Sequence, residues 1–402
     1  MKARLLTTDY APNIGGVAQH IYEIARALAS MGHQVEIVAP DYSSSAINLL
    51  RRPFEERSAG FTVWRIPLCL NRSIRYVSGQ VTGRLSRRRF SREAVLRLQT
   101  GQPDILHWHA IDAYGYPAER FSGPRVWTNH TSNFIDGIKT ERGLMHYRRE
   151  AASADQIICP SEELADLTAQ IGVPRDRIHF IPNGVDASRF HPSVDPAAWK
   201  ARLNVATHDK IILCPRRLEK KNGVRFFAEA AVEVLRRGQR NCVFVIAGNF
   251  TGPKADSDEQ VVNDLIFNSG FASNFRLLGR VENSEIPGLY AAADFVVMPS
   301  LLEATSLSAM EAMASGKAVL STNVGGLPFL VRDGENGILV PPANPRALAA
   351  GMETLLARPE VCSRLGAAGR QRVEAELDWS KIARQTLAIY AAAAAARMQL
   401  VT

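Results

Sequence analysis

Short apolar runs rich in β-branched residues alternate along the chain with stretches whose apolar positions recur at helical spacing. The first run, 3–7, leads into Pro12-Asn13-Ile14-Gly15-Gly16. Then Ile21, Ile24, Ala25 and Leu28 mark one helix face within 18–31, ended by Gly32. Further strands are predicted at 35–39, 105–107, 125–128 and 156–159. A stretch rich in turn formers, Ile181-Pro182-Asn183-Gly184-Val185-Asp186 followed by Phe190-His191-Pro192, reads as a linker. Beyond it a second series begins, with strands predicted at 211–214, 243–247, 275–278, 295–298 and 318–321. Alternation of this kind predicts an α/β protein: two Rossmann-like, doubly wound parallel-sheet domains facing a central cleft.

Length and composition narrow the class. A chain of 402 residues holds two or three ordinary domains, and 46% apolar with 22% charged residues excludes disordered and fibrous classes. The five cysteines, Cys69, Cys159, Cys214, Cys242 and Cys362, are odd in number, scattered and free of any C-x-x-C pair. That pattern suits reduced buried thiols in a cytoplasmic protein. The amino terminus carries no secretory apolar stretch, and no run of about 18 apolar residues predicts a membrane span. The sequons at Asn71, Asn129 and Asn249 then read as chance matches.

Part of the +8 net charge is local: Arg84, Arg87, Arg88, Arg89, Arg92 and Arg97 fall within fourteen residues. Such a cluster suits either an anionic surface, such as the inner face of a membrane, or a solvated helix face. No RNA-binding or zinc-finger pattern accompanies it, so no nucleic-acid partner is expected.

The richest chemistry lies at 292–314. A buried strand ending in Met298-Pro299-Ser300 leads to Glu303, and a helical stretch from Thr305 places Glu311 about two turns in. Ligands of open α/β sheets bind beyond the carboxyl ends of strands. Backbone amides near Thr305, Ser306 and Leu307 would face an anion there, helped by the helix dipole. Ser308-x-x-Glu311 also fits a capping box, which would make Glu311 a helix-start residue only.

Glu303-Ala-Thr-Ser-Leu-Ser-Ala-Met-Glu311 is a Glu-x7-Glu pattern, flanked by Met298-Pro299-Ser300 and by Ala312-Met313-Ala314-Ser315-Gly316-Lys317-Ala318-Val319. With Pro12 to Gly16, Gly32-His33-Gln34-Val35, Thr128-Asn129-His130, Pro182 to Asp186, Leu278-Gly279-Arg280, Val324-Gly325-Gly326 and Asp333 to Gly337, it resembles the retaining glycosyltransferase family four, of GT-B fold. The resemblance implies that Glu311 holds the nucleotide ribose, that Glu303 and His130 lie at the sugar, and that Val281 joins the donor-binding set. It also implies a last helix, 378–402, that completes an acceptor-side domain 1–192, leaving 193–377 as the donor-binding domain. Many members carry Gly-Phe-Gly where this chain has Ala304-Thr305-Ser306, so those members' donor preference does not transfer.

A departing nucleoside diphosphate needs positive charge. The only Asp-x-Asp triplet, Asp256-Ser257-Asp258, sits in a polar segment and reads as an exposed loop rather than a metal site. His107-Trp108-His109 shows no third ligand at metal spacing. Cations instead follow the strand at 211–214, in Arg216-Arg217-Leu218-Glu219-Lys220-Lys221. The family has an arginine and a lysine here on the diphosphate, a pair best matched by Arg217 and Lys221, with Arg216 as substitute. Gly15 and Gly16, after the first strand, would let backbone amides approach a phosphate, or form only a tight turn.

Together these features predict a retaining, metal-independent glycosyltransferase without cofactor, moving a sugar from a UDP- or GDP-sugar to a glycan or lipid-linked hydroxyl. The alternatives are a nucleotide-sugar epimerase or hydrolase of the same fold, or a non-catalytic sugar-binding subunit.

Overall fold

The computed structural model describes residues 1–12, 15–43, 46–69, 77–109, 117–130, 132–249, 256–303 and 305–399. Two compact units emerge: Met1–Asn183 with Trp379–Thr402, and Gly184–Asp378. Residues 184–192, placed with the first domain by the sequence pattern, lie in the second unit. Ala187 and Phe190 enter that unit's core, and the Arg370 guanidinium donates to both their carbonyls, at 2.9 and 2.7 Å.

The first unit has eight strands: β1 (Lys2–Leu6), β2 (Gln34–Ser43), β3 (Phe54–Ser58), β4 (Phe61–Cys69), β5 (Ile105–Trp108), β6 (Arg125–Thr128), β7 (Gln156–Cys159) and β8 (Ile178–Phe180). They lie in the order β3-β4-β2-β1-β5-β6-β7-β8. All neighbours run parallel except β3 and β4. Successive side chains point to opposite faces of a strand. Leu5, Ile37 and Ile158 therefore enter one core, with helices Gly16–Ser30 and Trp379–Gln399. Leu6, Val38 and Ile157 enter the other, with Phe90, Phe134 and Leu164.

The antiparallel β3–β4 hairpin departs from the expected all-parallel sheet. Ser58 pairs with Phe61, leaving a two-residue loop, Ala59-Gly60, with both residues at positive φ as a tight hairpin requires. Strand β3 reads Phe-Glu-Glu-Arg-Ser and lies mostly exposed at the sheet edge, so no apolar alternation announces it. Short β8 was equally silent.

That unit holds β9 (Lys210–Cys214), β10 (Cys242–Ala247), β11 (Phe275–Gly279), β12 (Phe295–Met298), β13 (Ala318–Thr322) and β14 (Gly337–Val340). The order is β11-β10-β9-β12-β13-β14, entirely parallel. Ile212, Phe244 and Val297 face one core, Leu213, Val245 and Val296 the other. Winding reverses between β9 and β12 here and between β1 and β5 in the first unit, which are the switch points where ligands of such sheets bind.

The arginine cluster lies on the helix Val77–Gln99 and divides by burial. Arg84, Arg87, Arg88 and Arg92 are exposed. Arg97 instead reaches Glu36, whose carboxylate also meets the buried Arg4, and stacks 4.3 Å above the Trp64 ring. Among the described residues no helix is long and apolar enough to cross a membrane.

Helix Trp379–Gln399 contributes Ile382, Ala383, Tyr390 and Ala393 to the first unit's core. Ile382→Ala leaves a cavity there, and urea denaturation should show a loss of about 2–5 kcal/mol. The exposed Arg384→Ala on the same helix should change stability by less than about 0.5 kcal/mol.

Candidate active site

In the second unit four neighbouring strands send their carboxyl-terminal loops to one place. After β9, Arg216 turns inward, with its side chain 13% exposed, and its Nη2 lies 2.5 Å from Glu303 Oε2. The loop after β12 carries Glu303, equally sheltered. The pair meets as charges rather than along an N–H direction: Arg216 Nε and Glu303 Oε2 are buried without a hydrogen bond among the described residues. Arg216 does donate to Asn222 Oδ1 at 2.7 Å, and Asn222 Nδ2 donates to the Arg217 carbonyl at 2.9 Å. Asn222 was not foreseen, because an amide between two cationic residues carries no chemical signal in sequence.

Two glycines let the outer loops close in. Gly248, after β10, lies so near the Arg216 carbonyl that a Cβ would come within 2.4 Å of it. After β13, Gly325 has φ of +51°, and a Cβ there would sit 1.7 Å from the Glu303 carbonyl oxygen. That carbonyl accepts from the Gly326 amide at 3.1 Å. No side chain fits at Gly325, so glycine there sets the course of the Glu303 loop.

Arg217 and Lys221, the expected diphosphate pair, both face Glu219, at 2.8 and 3.3 Å. Their side chains are 56% and 49% exposed, unlike that of Arg216. Arg216, Arg217 and Lys221 against Glu219 and Glu303 leave one net positive charge in this corner.

Helix Leu307–Ala314 starts at Ser306, whose hydroxyl accepts from the Ala309 amide at 3.3 Å. Ser306 is therefore the cap, and the capping box built on Ser308 is not formed. Glu311 sits little more than one turn in, not two. Its Oε2 accepts from the Tyr290 hydroxyl at 2.9 Å, and that hydroxyl also lies 3.1 Å from the Ser308 carbonyl. Burial pushes the Glu311 carboxyl up to about 7, opposed by the Tyr290 hydrogen bond and by Arg189. Tyr290 came from a different helix, Ile286–Ala292, and sequence spacing could not pair the two. Val281 packs against the core on this side of the sheet.

The Asp256–Asp258 triplet, expected as an exposed loop, is exposed only at Asp256. Ser257 bridges to Glu219, the Asp258 amide donates to Leu218 at 3.0 Å, and Asp258 is buried. Ala304, Asn13 and Ile14 lie outside the described residues.

In the first unit, Gly15 and Gly16 are exposed at the start of helix Gly16–Ser30, whose first turn has neither acidic residue nor side-chain cap. Beside them in the fold is a group of imidazoles. His109 Nδ1 lies 2.9 Å from His130 Nε2, and the His20 ring is 4.4 Å from that of His130. His20 Nδ1 bonds the side-chain oxygen of Asn183 at 2.8 Å. His107 spends both nitrogens on Tyr390 and Thr128, at 2.8 and 2.6 Å. Burial lowers every one of these imidazoles: His20 to about 4, His107 to about 3, His109 and His130 well below the usual value. All four are therefore neutral at pH 7.

Comparison with known proteins covers both units. Glycosyltransferase Family 4 matches residues 14–189, and Glycosyl transferases group 1 matches residues 195–372. An uncharacterized glycosyltransferase of Methanocaldococcus jannaschii is 26% identical over 97% of this chain and 98% of its own. A D-inositol 3-phosphate glycosyltransferase of Geodermatophilus obscurus is 29% identical, over 96% of this chain and 86% of its own. Among solved structures, sucrose-phosphate synthase from Thermosynechococcus elongatus superposes with a TM-score of 0.78 at 23% identity, covering 97% of this chain and 98% of the other. An Anabaena protein solved with UDP-glucose gives 0.72 at 18% identity, over 96% and 99%. Their shared architecture is the GT-B fold. The chain is a nucleotide-sugar-dependent glycosyltransferase of that fold, a Glycosyltransferase Family 4 domain joined to a Glycosyl transferases group 1 domain.

Proposed function

We propose that this glycosyltransferase transfers its sugar with retention and without a metal, from a UDP- or GDP-sugar to a hydroxyl of a glycan or lipid-linked acceptor. The observation that carries the donor assignment is the meeting of Arg216 and Glu303 at the carboxyl ends of β9 and β12, with Glu311 on the helix that follows β12. Glu311 accepts the two ribose hydroxyls, a task for which a carboxylate held by Tyr290 is already oriented. Arg217 and Lys221 face the diphosphate, joined by the amides of Thr305, Ser306 and Leu307. Their spare positive charge stands in for a metal as the leaving group gains charge. Arg216 holds Glu303 at the transferring sugar. In the first unit Gly15 and Gly16 serve a phosphate, and His130, being neutral, serves a sugar hydroxyl as a hydrogen-bonding group rather than a cation. Uridine as the base draws support from the UDP-glucose complex of the Anabaena protein.

Retention follows here from attack on the same face, assisted by the departing phosphate. A glycosyl adduct trapped on a carboxylate and seen by mass spectrometry overturns that step. Diphosphate release measured with and without acceptor separates transfer from epimerisation or hydrolysis.

A carboxyl near 7 makes donor binding depend on pH. The donor binds the ionised form of Glu311, so affinity falls as pH drops through 7. The donor Kd should be about tenfold weaker at pH 6 than at pH 8, as one titrating group demands. A flat profile by calorimetry removes Glu311 from the donor site.

Glu311→Ala removes a charged hydrogen-bond acceptor, which should lower kcat/KM for the donor by about ten- to a hundredfold. Undiminished turnover contradicts the assignment.

The four exposed arginines of helix Val77–Gln99 support a lipid-linked acceptor at an anionic membrane surface. Flotation with anionic vesicles should carry the protein at low salt and release it at high salt. Failure to float at low salt removes that surface.

A further inference from the structure

We infer that His20, His109 and His130 form a binding site for a divalent transition-metal ion of the zinc type, within the first unit. Each offers a ring nitrogen, and the three nitrogens lie within 4.8 Å of one another. Among the described residues this is the one group of histidines, cysteines or carboxylates so arranged. His20 comes from helix Gly16–Ser30, His109 follows β5 and His130 follows β6. One helix and two strand-end loops thus place one ligand each.

The chemistry of the three nitrogens fits a soft-to-borderline cation. Asn183 accepts from His20 Nδ1, which fixes the tautomer and leaves Nε2 with a bare lone pair. An outer partner of this kind is what orients metal-bound histidines. His109 Nδ1 and His130 Nε2 stand 2.9 Å apart, close to the roughly 3.3 Å that two nitrogens span on a tetrahedral ion with bonds of about 2.0–2.1 Å. His107, with both nitrogens engaged, lies 4.2 Å from His109 ring to ring and holds it in place rather than serving as a ligand.

The single contact between His109 and His130 needs one proton on one of two nitrogens, and an ion replaces that proton with bonds to both. Three imidazoles with neither thiolate nor carboxylate favour zinc, copper, nickel or cobalt over magnesium or calcium. A three-histidine set leaves a fourth position for water or an anion.

An ion here occupies the lone pair of His130. Resting on the proposed role of His130 at the sugar, the consequence is inhibition: zinc slows turnover and a chelator restores it. The reaction proposed above is metal-independent, so this site regulates or poisons the enzyme rather than serving its chemistry.

Direct binding tests the site without reference to activity. Calorimetry with zinc chloride on the full chain, and visible absorption with cobalt chloride, should show one ion per chain with low-micromolar affinity or tighter. Cobalt bands should have the intensity of four-coordination. His20→Asn and His109→Asn should each weaken binding by at least about tenfold, and Asn183→Ala by about tenfold through loss of the outer partner. His208→Asn, at an exposed histidine of the other unit, should change nothing. Circular dichroism confirms that each variant is folded; should the histidine variants unfold, Asn183→Ala decides. No zinc binding, or affinity unchanged in the cluster variants, overturns the inference. Binding without inhibition leaves the metal site standing and overturns the role of His130 at the sugar.

Discussion

Parallel pairing of β9 with β12 is the constraint on which the second unit's chemistry depends. Phe295 stands against Ile212 and Val296 against Leu213, and this register brings the two carboxyl-terminal loops side by side. Arg216 and Glu303 then come within 2.5 Å although 86 positions separate them in sequence (303 minus 216 less one). Bringing two charges out of water is costly unless each faces the other, so a loop that strayed would leave a sheltered charge alone. Fold and site therefore stabilise one another: the sheet sets the approach, and the ion pair resists its loss.

Glycines complete that arrangement from both sides. Gly248 admits the β10 loop against Arg216, and Gly325 admits the β13 loop against the Glu303 backbone. Both positions would place a Cβ inside another residue's backbone, which cannot be relieved by turning a side chain. Four strands thus contribute to one corner. It leaves Arg217 and Lys221 exposed around a single carboxylate, with charge to spare for an anion.

The first unit solves a different problem at its own switch point. There, four imidazoles lie together with no carboxylate among the described residues of the group, and burial keeps them neutral. Hydrogen bonds with Tyr390, Thr128 and Asn183 hold two of them in orientation. Tyr390 belongs to helix Trp379–Gln399, so that late helix holds a ring within the fifth strand. A neutral cluster can donate, accept or ligate, whereas a charged one could do only the first.

Much of this was legible in order along the chain. Apolar runs of three to five residues between helical stretches marked ten of the fourteen strands, because a buried parallel strand must be apolar on both faces. The Glu303–Glu311 spacing and the cations after β9 stood out through residue type alone. Exposed β3 and short β8 lacked that signature, while β14 carries it in Ile338-Leu339-Val340 but sits between turn formers. Strand β4 did alternate, burying Phe61, Val63 and Arg65, but its antiparallel partner was invisible. Only the tertiary structure decided which arginine meets Glu303, that Tyr290 rather than a capping box engages Glu311, and that a third and fourth histidine join His107 and His109. Each of those contacts joins residues far apart in sequence. Residue type reports what a side chain can do, but its partner depends on strand order and loop course, which no local pattern encodes.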